Sequence, residues 1–493
     1  MRRRACGVRA LIAVGVLTAL SACASTAAAQ IPGLPVAPIL GDPRQFTVTS
    51  FEGSAATANP VGDATPPPQH PFLAPNGRNN IHNDVYMTDS YRYPGPLADG
   101  PEVSSLFVRE CASVTFDSHG RIVTICVGLD SPVLALLDPH TLRTLAAMPL
   151  PFRDPQSLTG VFNDFSGGGY FYLDHRDRAV LPTNDRHLLE VAISDGPRFE
   201  VTRDYDLSGA VPSGEGIISA LPDWSGRFWF VTRQGMVGTV DRGGGGIKTL
   251  RLEGEGISNS FAVDETGGVF IVSDEALYRF EAGPDGGPAV SWRVVYPNSG
   301  VHKPSQSDAG SGTTPTLMGG DWVAITDNAD PMNVLVHRRA NGEQVCSEPI
   351  FAPGASATDQ SLIATDHSII AENNYGYSGP TATMQGGVTE PGLVRVDVVD
   401  GDCRTVWMSD ERSPSVVPKL SLENGLVYTY TKPPREDGLD AWFLTALDFR
   451  TGETIYRRLA GTGFGFNNNY APVTLGPDGT AYVGVLGGLV AFR

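Results

Sequence analysis

Eight times after residue 110 the chain repeats one arrangement: an apolar run of strand length, a short polar turn, and a second apolar run. Asp117-Ser-His-Gly120 separates CASVTF from RIVTIC, and Asp223-Trp-Ser-Gly226 separates GIISALP from RFWFVT. Asp264-Glu-Thr-Gly267 lies between SFAV and GVFIVS, and Pro477-Asp478-Gly479 between APVTL and TAYVGV. Looser copies centre on 174–177, Gly319-Gly320, Asp366-His367 and Glu423-Asn-Gly425. The turns recur at intervals of about 41 to about 58 residues, the period of a four-stranded propeller blade. Strands rich in Val, Ile, Phe, Tyr and Thr alternate with Gly, Asp and Pro turns, and helical periodicity is almost absent. The pattern predicts an all-β protein: one eight-bladed β-propeller of four-stranded antiparallel blades over 103–493. The last unit holds three strands, APVTL, TAYVGV and GLVAFR, so its fourth must come from upstream, from FTVTS or SSLFVR.

Residues 30–102 break this pattern. They are rich in Pro, Gly, Ala and Asn and read as a tether, except for 79–93 (NNIHNDVYMTDSYRY), whose aromatics predict packing on the propeller across one face. Residues 1–29 read as an export signal, with Arg2, Arg3 and Arg4 before an apolar stretch too short to span a bilayer. Two processing sites fit: a lipobox ending at Cys23, which would be acylated, or cleavage after Ala29. The expected location is therefore the bacterial cell envelope as a lipoprotein, or the periplasm or medium as a released, monomeric protein.

Composition changes this picture little. The 36 basic residues are scattered among 54 acidic ones, which argues against nucleic acid as a partner. Four cysteines follow the signal, and an even count in an exported chain favours disulfides. If Ser118-His119 is a two-residue hairpin turn, residues whose numbers sum to 237 face each other, as Cys111 and Cys126 do. Cys346 and Cys403 lie one blade period apart, each shortly after a turn, which predicts a bridge between the outer strands of neighbouring blades.

The segment Ala446-Leu-Asp-Phe-Arg-Thr-Gly-Glu-Thr-Ile-Tyr456 resembles the repeat of quinoprotein-type propellers, with Tyr456 in place of the usual Trp. Fainter echoes run through Asp138 and Thr141, through Glu281 and Trp292, and through Asp397 and Trp407. The resemblance implies a Thr-Gly turn between third and fourth strands and an aromatic that docks on the next blade. It implies no cofactor, because scaffold and quinone-binding members share it. The adjacent-cysteine pair of quinone-dependent alcohol dehydrogenases is missing, which puts pyrroloquinoline quinone in doubt. Blade 4 is similar to repeats of gluconolactonase and strictosidine-synthase-like propellers, which implies a divalent cation at the axis.

Inner-strand starts and second-strand ends share one face, and here they carry amides and carboxylates. Glu215, Asn259, Asp274 and Asp327 are candidate ligands for calcium or magnesium. Asn259, Asp327, Asn328, Glu372, Asn373, Asn374, Tyr375, Asn468 and Asn469 are expected around the channel mouth, with His302 from a long loop. The leading expectation is a propeller binding a small ligand, a polymer or an envelope protein on this long-loop face, with 79–93 as a lid. The alternative is a metal-dependent hydrolase, lactonase or quinoprotein-like oxidoreductase, with Asp327 or Glu372 as base.

Overall fold

A computed structural model describes residues 47–493 apart from 63, 101, 108, 129–130 and 153–165. The export signal, Cys23 and the start of FTVTS lie outside the described residues.

The chain forms the eight-bladed ring, each blade built outward from the axis in chain order. Blade 3 shows why. Its inner strands Ile217–Pro222 and Phe228–Thr232 are buried along their whole length, whereas the outermost, Ile247–Arg251, is half exposed. Sheets stacked face to face bury both sides of their inner strands, so these read as continuous apolar runs. Each of Phe228, Phe230 and Val231, fully buried, contributes about 1.5–3 kcal/mol. Gly238 is required by close approach, because a Cβ there would lie 2.1 Å from the Phe230 ring.

The repeated turn has a common mechanism. Asp117, Asp174, Asp223 and Asp264 each use Oδ1 to accept the backbone N–H groups two and four residues on, at 2.8–3.0 Å. The residue three positions on takes the left-handed conformation, with φ of 73° at Gly120, 55° at Asp177, 88° at Gly226 and 86° at Gly267. Between blades, the Trp292 indole N–H donates to Arg339 O of the next blade at 2.9 Å, and that of Trp407 to Phe449 O at 2.9 Å. Both indoles thus dock on the next blade, as the repeat resemblance implies. Gly452 leaves room for one of them, since a Cβ there would meet the Trp407 ring at 2.5 Å.

Val103–Phe107 closes the ring as the outermost strand of blade 8. The other candidate closer is displaced: Thr47 to Ser50 form no strand, and Phe51–Gly53 instead adds a fifth strand to the outside of blade 7. Both disulfides are formed, with Cα–Cα separations of 3.9 Å for Cys111–Cys126 and 5.4 Å for Cys346–Cys403. The hairpin reasoning behind the first needs correction. Phe116 faces Ile122, so the loop is one residue longer than a two-residue turn register allows, and a bulge at Ala112 restores Cys111 opposite Cys126. The Cys346–Cys403 bridge joins blades 5 and 6. Its replacement by two serines should cost about 4 kcal/mol on the chain-entropy account, and loss of Cys111–Cys126 about 3 kcal/mol. Urea unfolding of each double-serine variant checks both, and midpoints equal to wild type would show that neither bridge restrains the ring.

Residues 79–91 thread the axis. The innermost strand of each blade presents an unpaired edge to the channel, and buried N–H groups need partners. The strap supplies them: carbonyls of Asn79, Val85, Tyr86, Thr88, Asp89 and Tyr91 accept from Leu173, Val263, Leu317, Ala364, Leu420 and Leu422, at 2.7–3.1 Å. Ser90–Tyr91 pairs in parallel with Lys419–Ser421 as a short strand. These contacts lie toward the first-to-second-strand turns, so the strap is a floor on the face opposite the long loops and not a lid over them. Among the described residues no helix is long and apolar enough to cross a membrane.

Candidate functional site

On the long-loop face the opening is roofed by the loop between blades 4 and 5. Arg233 of blade 3 donates to Ser307 O at 2.9 Å, and Ser307 Oγ donates to Asp359 of blade 6 at 2.6 Å. Tyr470 of blade 8 donates to Ser305 O at 2.7 Å. Contacts to blades 3, 6 and 8 from one loop place it across the axis. From the blade 6 insertion, Tyr377 donates to Asn468 O and Asn469 Oδ1, both at 2.9 Å, and meets the Tyr470 ring edge-on at 5.4 Å. Between this roof and the strap lies a cavity of about 50 Å³, bordered by His82, Tyr170, Asn259, Asp359, Ser361 and Asn469, among others.

The titratable groups on the cavity and beneath it are deeply buried, which sets its electrostatics. Burial pushes Asp359 up to about 7, against the stabilising hydrogen bond from Ser307. Burial lowers the His82 pKa, opposed by Asp89, whose Oδ1 is 3.1 Å from Nδ1. Lys419, fully buried, pairs with the same carboxylate and donates to Ile81 O at 2.8 Å. Beneath the cavity Asp84 is pushed up to about 7 by burial, although Tyr86 N and Thr88 donate to it.

Of the residues expected at the mouth, Asn259 and Asn469 border this cavity. The others hold loops together. Asp327 accepts from the backbone and side chain of Asn333, both at 2.7 Å. Asn328 donates to Asn298 and Val301 O, and Asn373 to Ala355 O and Pro391 O. Asn374 donates to Ser413 O, and Asn468 to Ala471 O and Gly484 O. Tyr375 donates its backbone N–H to Asn373 Oδ1, and His302 bonds back to Gln306 O. Glu372 is sealed beside Asn374, Ser413 and Thr429, where burial drives its pKa well up. Asp and Asn at such positions serve as turn staples, the structural role their chemistry equally allows.

The cation candidates do not form one ligand set. Glu215 is clamped by Arg251 at 2.7 Å, Asp327 by Asn333, and Asp274 accepts from Gly256 N at 2.8 Å. Among the described residues no three His, Cys, Asp or Glu side chains come together as metal ligands. These residues do not fit a calcium or magnesium ion. A tricyclic quinone fits no better, since about 50 Å³ is far below the roughly 300–1,000 Å³ of sites for drug-sized ligands.

The opposite face holds a larger pocket, of about 380 Å³, between 64–68 and 76–93 of the N-terminal segment and blades 5 and 6. Pro67, Tyr86, Tyr93 and Met318 give it apolar walls; Arg92, Arg339 and Asp84 give it polar points. Arg339, nearly buried, donates to Tyr86 OH at 2.9 Å and to Asp321 at 2.7 Å. No sequence motif marks this pocket or the cavity, and the only cue was the concentration of His, Asp and Tyr in 79–93.

The eight-bladed propeller is similar in fold to several solved dehydrogenases. The chain is similar to the quinohemoprotein alcohol dehydrogenase from Comamonas testosteroni, with a TM-score of 0.54, 12% identity and coverage of 86% of this chain and 80% of that one. A europium-containing methanol dehydrogenase gives 0.53, with 11% identity over 83% of this chain and 89% of the other. The dihydro-heme d1 dehydrogenase NirN, in complex with DHE, gives 0.50, with 12% identity over 80% and 72%. At these identities the likeness establishes the fold alone. No family model matches the chain. An uncharacterized protein of Archaeoglobus fulgidus is 28% identical over 331 residues, 59% of this chain. The match spans 63% of that relative's length, just under two thirds.

Proposed function

We propose that the protein is an exported binding propeller whose ligand is a small molecule held between the N-terminal segment and blades 5 and 6. The 380 Å³ pocket carries this reading: it has the size of a small-molecule site, apolar walls, and few convergent polar groups. Arg92 and Arg339 stand beside Asp84, Asp321 and Asp366, a mixed set that favours a ligand carrying both donors and acceptors on an apolar body. The long-loop face has less support as the binding surface for a ligand, polymer or protein, because its own loops fill the opening. Two formed disulfides support an oxidising compartment, reached with a lipid anchor at Cys23 or after release at Ala29.

A thermal-shift screen of small amphipathic compounds, neutral, cationic and anionic, against wild type and Ala64→Trp tests the pocket. Ala64 lines it, so the larger side chain should fill it and abolish any stabilisation seen with wild type. Shifts that persist in the variant, or a wild type that no compound shifts, would remove this reading.

A further inference from the structure

The axial cavity contains an arrangement that ring closure does not require. Ser361, two residues before the inner strand Ile363–Ala364 of blade 6, places Oγ 3.5 Å from Nε2 of His82. The other ring nitrogen, Nδ1, lies 3.1 and 3.2 Å from the two oxygens of Asp89. An Nδ1–H held toward a carboxylate leaves the Nε2 lone pair toward the hydroxyl, the tautomer a general base needs. Lys419 pairs with Asp89 from the other side, and the ring of Tyr170 stacks on His82 at 6.2 Å and 23°. Tyr170 also donates to Asn259 Oδ1 at 3.3 Å, and Asn259 Nδ2 is buried with no hydrogen-bond partner. Asn259 and Ser361 line the same cavity, and an unpartnered amide donor there is what a developing oxyanion requires.

We propose that Ser361, His82 and Asp89 form an acyl-transfer centre in the axial cavity, with Ser361 as nucleophile, His82 as base, Asp89 as its positioning residue and Asn259 as oxyanion donor. The substrate class is an ester or thioester with a short acyl group, because about 50 Å³ holds only a few heavy atoms. Ser361 Oγ forms a bond to the carbonyl carbon as its proton passes to His82 Nε2, and the carbonyl oxygen becomes the oxyanion facing Asn259. Collapse breaks the bond to the alcohol or thiol, which leaves with the proton from His82. Water then attacks the acyl-serine by the same route, releasing the carboxylic acid and restoring the hydroxyl. The roof loop, joined to the ring through Ser305 and Ser307 by hydrogen bonds, is what a substrate displaces on entry. This centre is separate from the ligand pocket and stands or falls independently of it.

Methanesulfonyl fluoride, small enough for the cavity, is the probe. On the intact protein Ser361 Oγ should form an O–S bond with loss of fluoride, the proton leaving through His82, and peptide mapping should place one methylsulfonyl group on Ser361. Ser361→Ala should take up none while keeping the wild-type melting temperature. His82→Gln should label at least about 100-fold more slowly. The role of Asp89 is read from the pH profile. Besides Asp89, the groups facing His82 are Lys419 and Tyr170, with Asp359 on the same cavity. In Asp89→Asn the pH of half-maximal labelling should move down, whereas a merely structural Asp89 leaves it in place. Folded wild type that takes up no label, or takes it up on another serine, overturns the proposal. Labelling of Ser361 at an unchanged rate in His82→Gln does the same, and if that variant does not fold, wild type against Ser361→Ala decides.

Discussion

Lys419→Met should lower the unfolding free energy by about 3–5 kcal/mol, the largest effect expected of any single substitution that preserves volume. Both partners of the Lys419–Asp89 pair are 0% exposed, so removing the ammonium strands a buried carboxylate. His82 cannot easily compensate, because burial already disfavours its protonation. The strap then loses its side-chain anchor on blade 7 and keeps only main-chain bonds there, so residues 79–91 should become the first site of limited proteolysis. Urea unfolding measures the loss, and Lys419→Met combined with Asp89→Asn should recover part of it, since no charge is then left unpaired. A loss below about 1 kcal/mol would mean that the main-chain bonds along the channel, and not this ion pair, hold the strap.

Stability should fall by up to about 5 kcal/mol as pH rises from 6.5 to 8. Burial raises Asp84 and Asp359 to about 7 and Glu110 to about 8, and raises Glu372 well above its ordinary value. In the unfolded chain such carboxyls ionise near about 4, so above that pH the native state holds protons the unfolded state has lost. Their contribution is complete below about pH 4 and disappears as pH climbs through the folded values. Below about 6.5 the opposite term enters, because buried His70, His82 and His337 are neutral when folded and protonate on unfolding. With four carboxyls against three histidines the carboxyl trend still prevails at pH 6, which places the stability maximum at about pH 5. Glu372→Gln should flatten the alkaline slope by about 1.4 kcal/mol per pH unit and exceed wild type in stability at pH 8. Thermal unfolding across the pH range decides it, and a variant curve parallel to wild type would show that Glu372 is ionised in the native protein.

The elements that were legible beforehand share a property: their signals are local. An Asp whose Oδ1 gathers two backbone N–H groups makes the same turn at 117, 174, 223 and 264, whatever surrounds it. The docking role of Trp292 and Trp407 follows from a repeat, and the blade period alone aligned Cys346 with Cys403. Where a register depended on a long-range detail the reading slipped, as in the first hairpin, whose bulge at Ala112 no local pattern announced.

The site was a different matter. Asp327, Asn328, Asn373 and Asn374 have the chemistry of ligands, yet they bond neighbouring loop groups and do not border the axial cavity. The same residue types staple turns and coordinate substrates, and composition cannot separate the two uses. The amino-acid sequence by itself determined the blades, their turns, their number and the pairing of the cysteines, because each rests on strand periodicity or backbone geometry within one repeat. Only the tertiary structure decided that Val103–Phe107 closes the ring, that 79–91 satisfies the inner-strand edges, and that a roof seals the long-loop face. It alone brought Ser361 to His82, residues 279 positions apart, since that contact exists only once all eight blades enclose one axis.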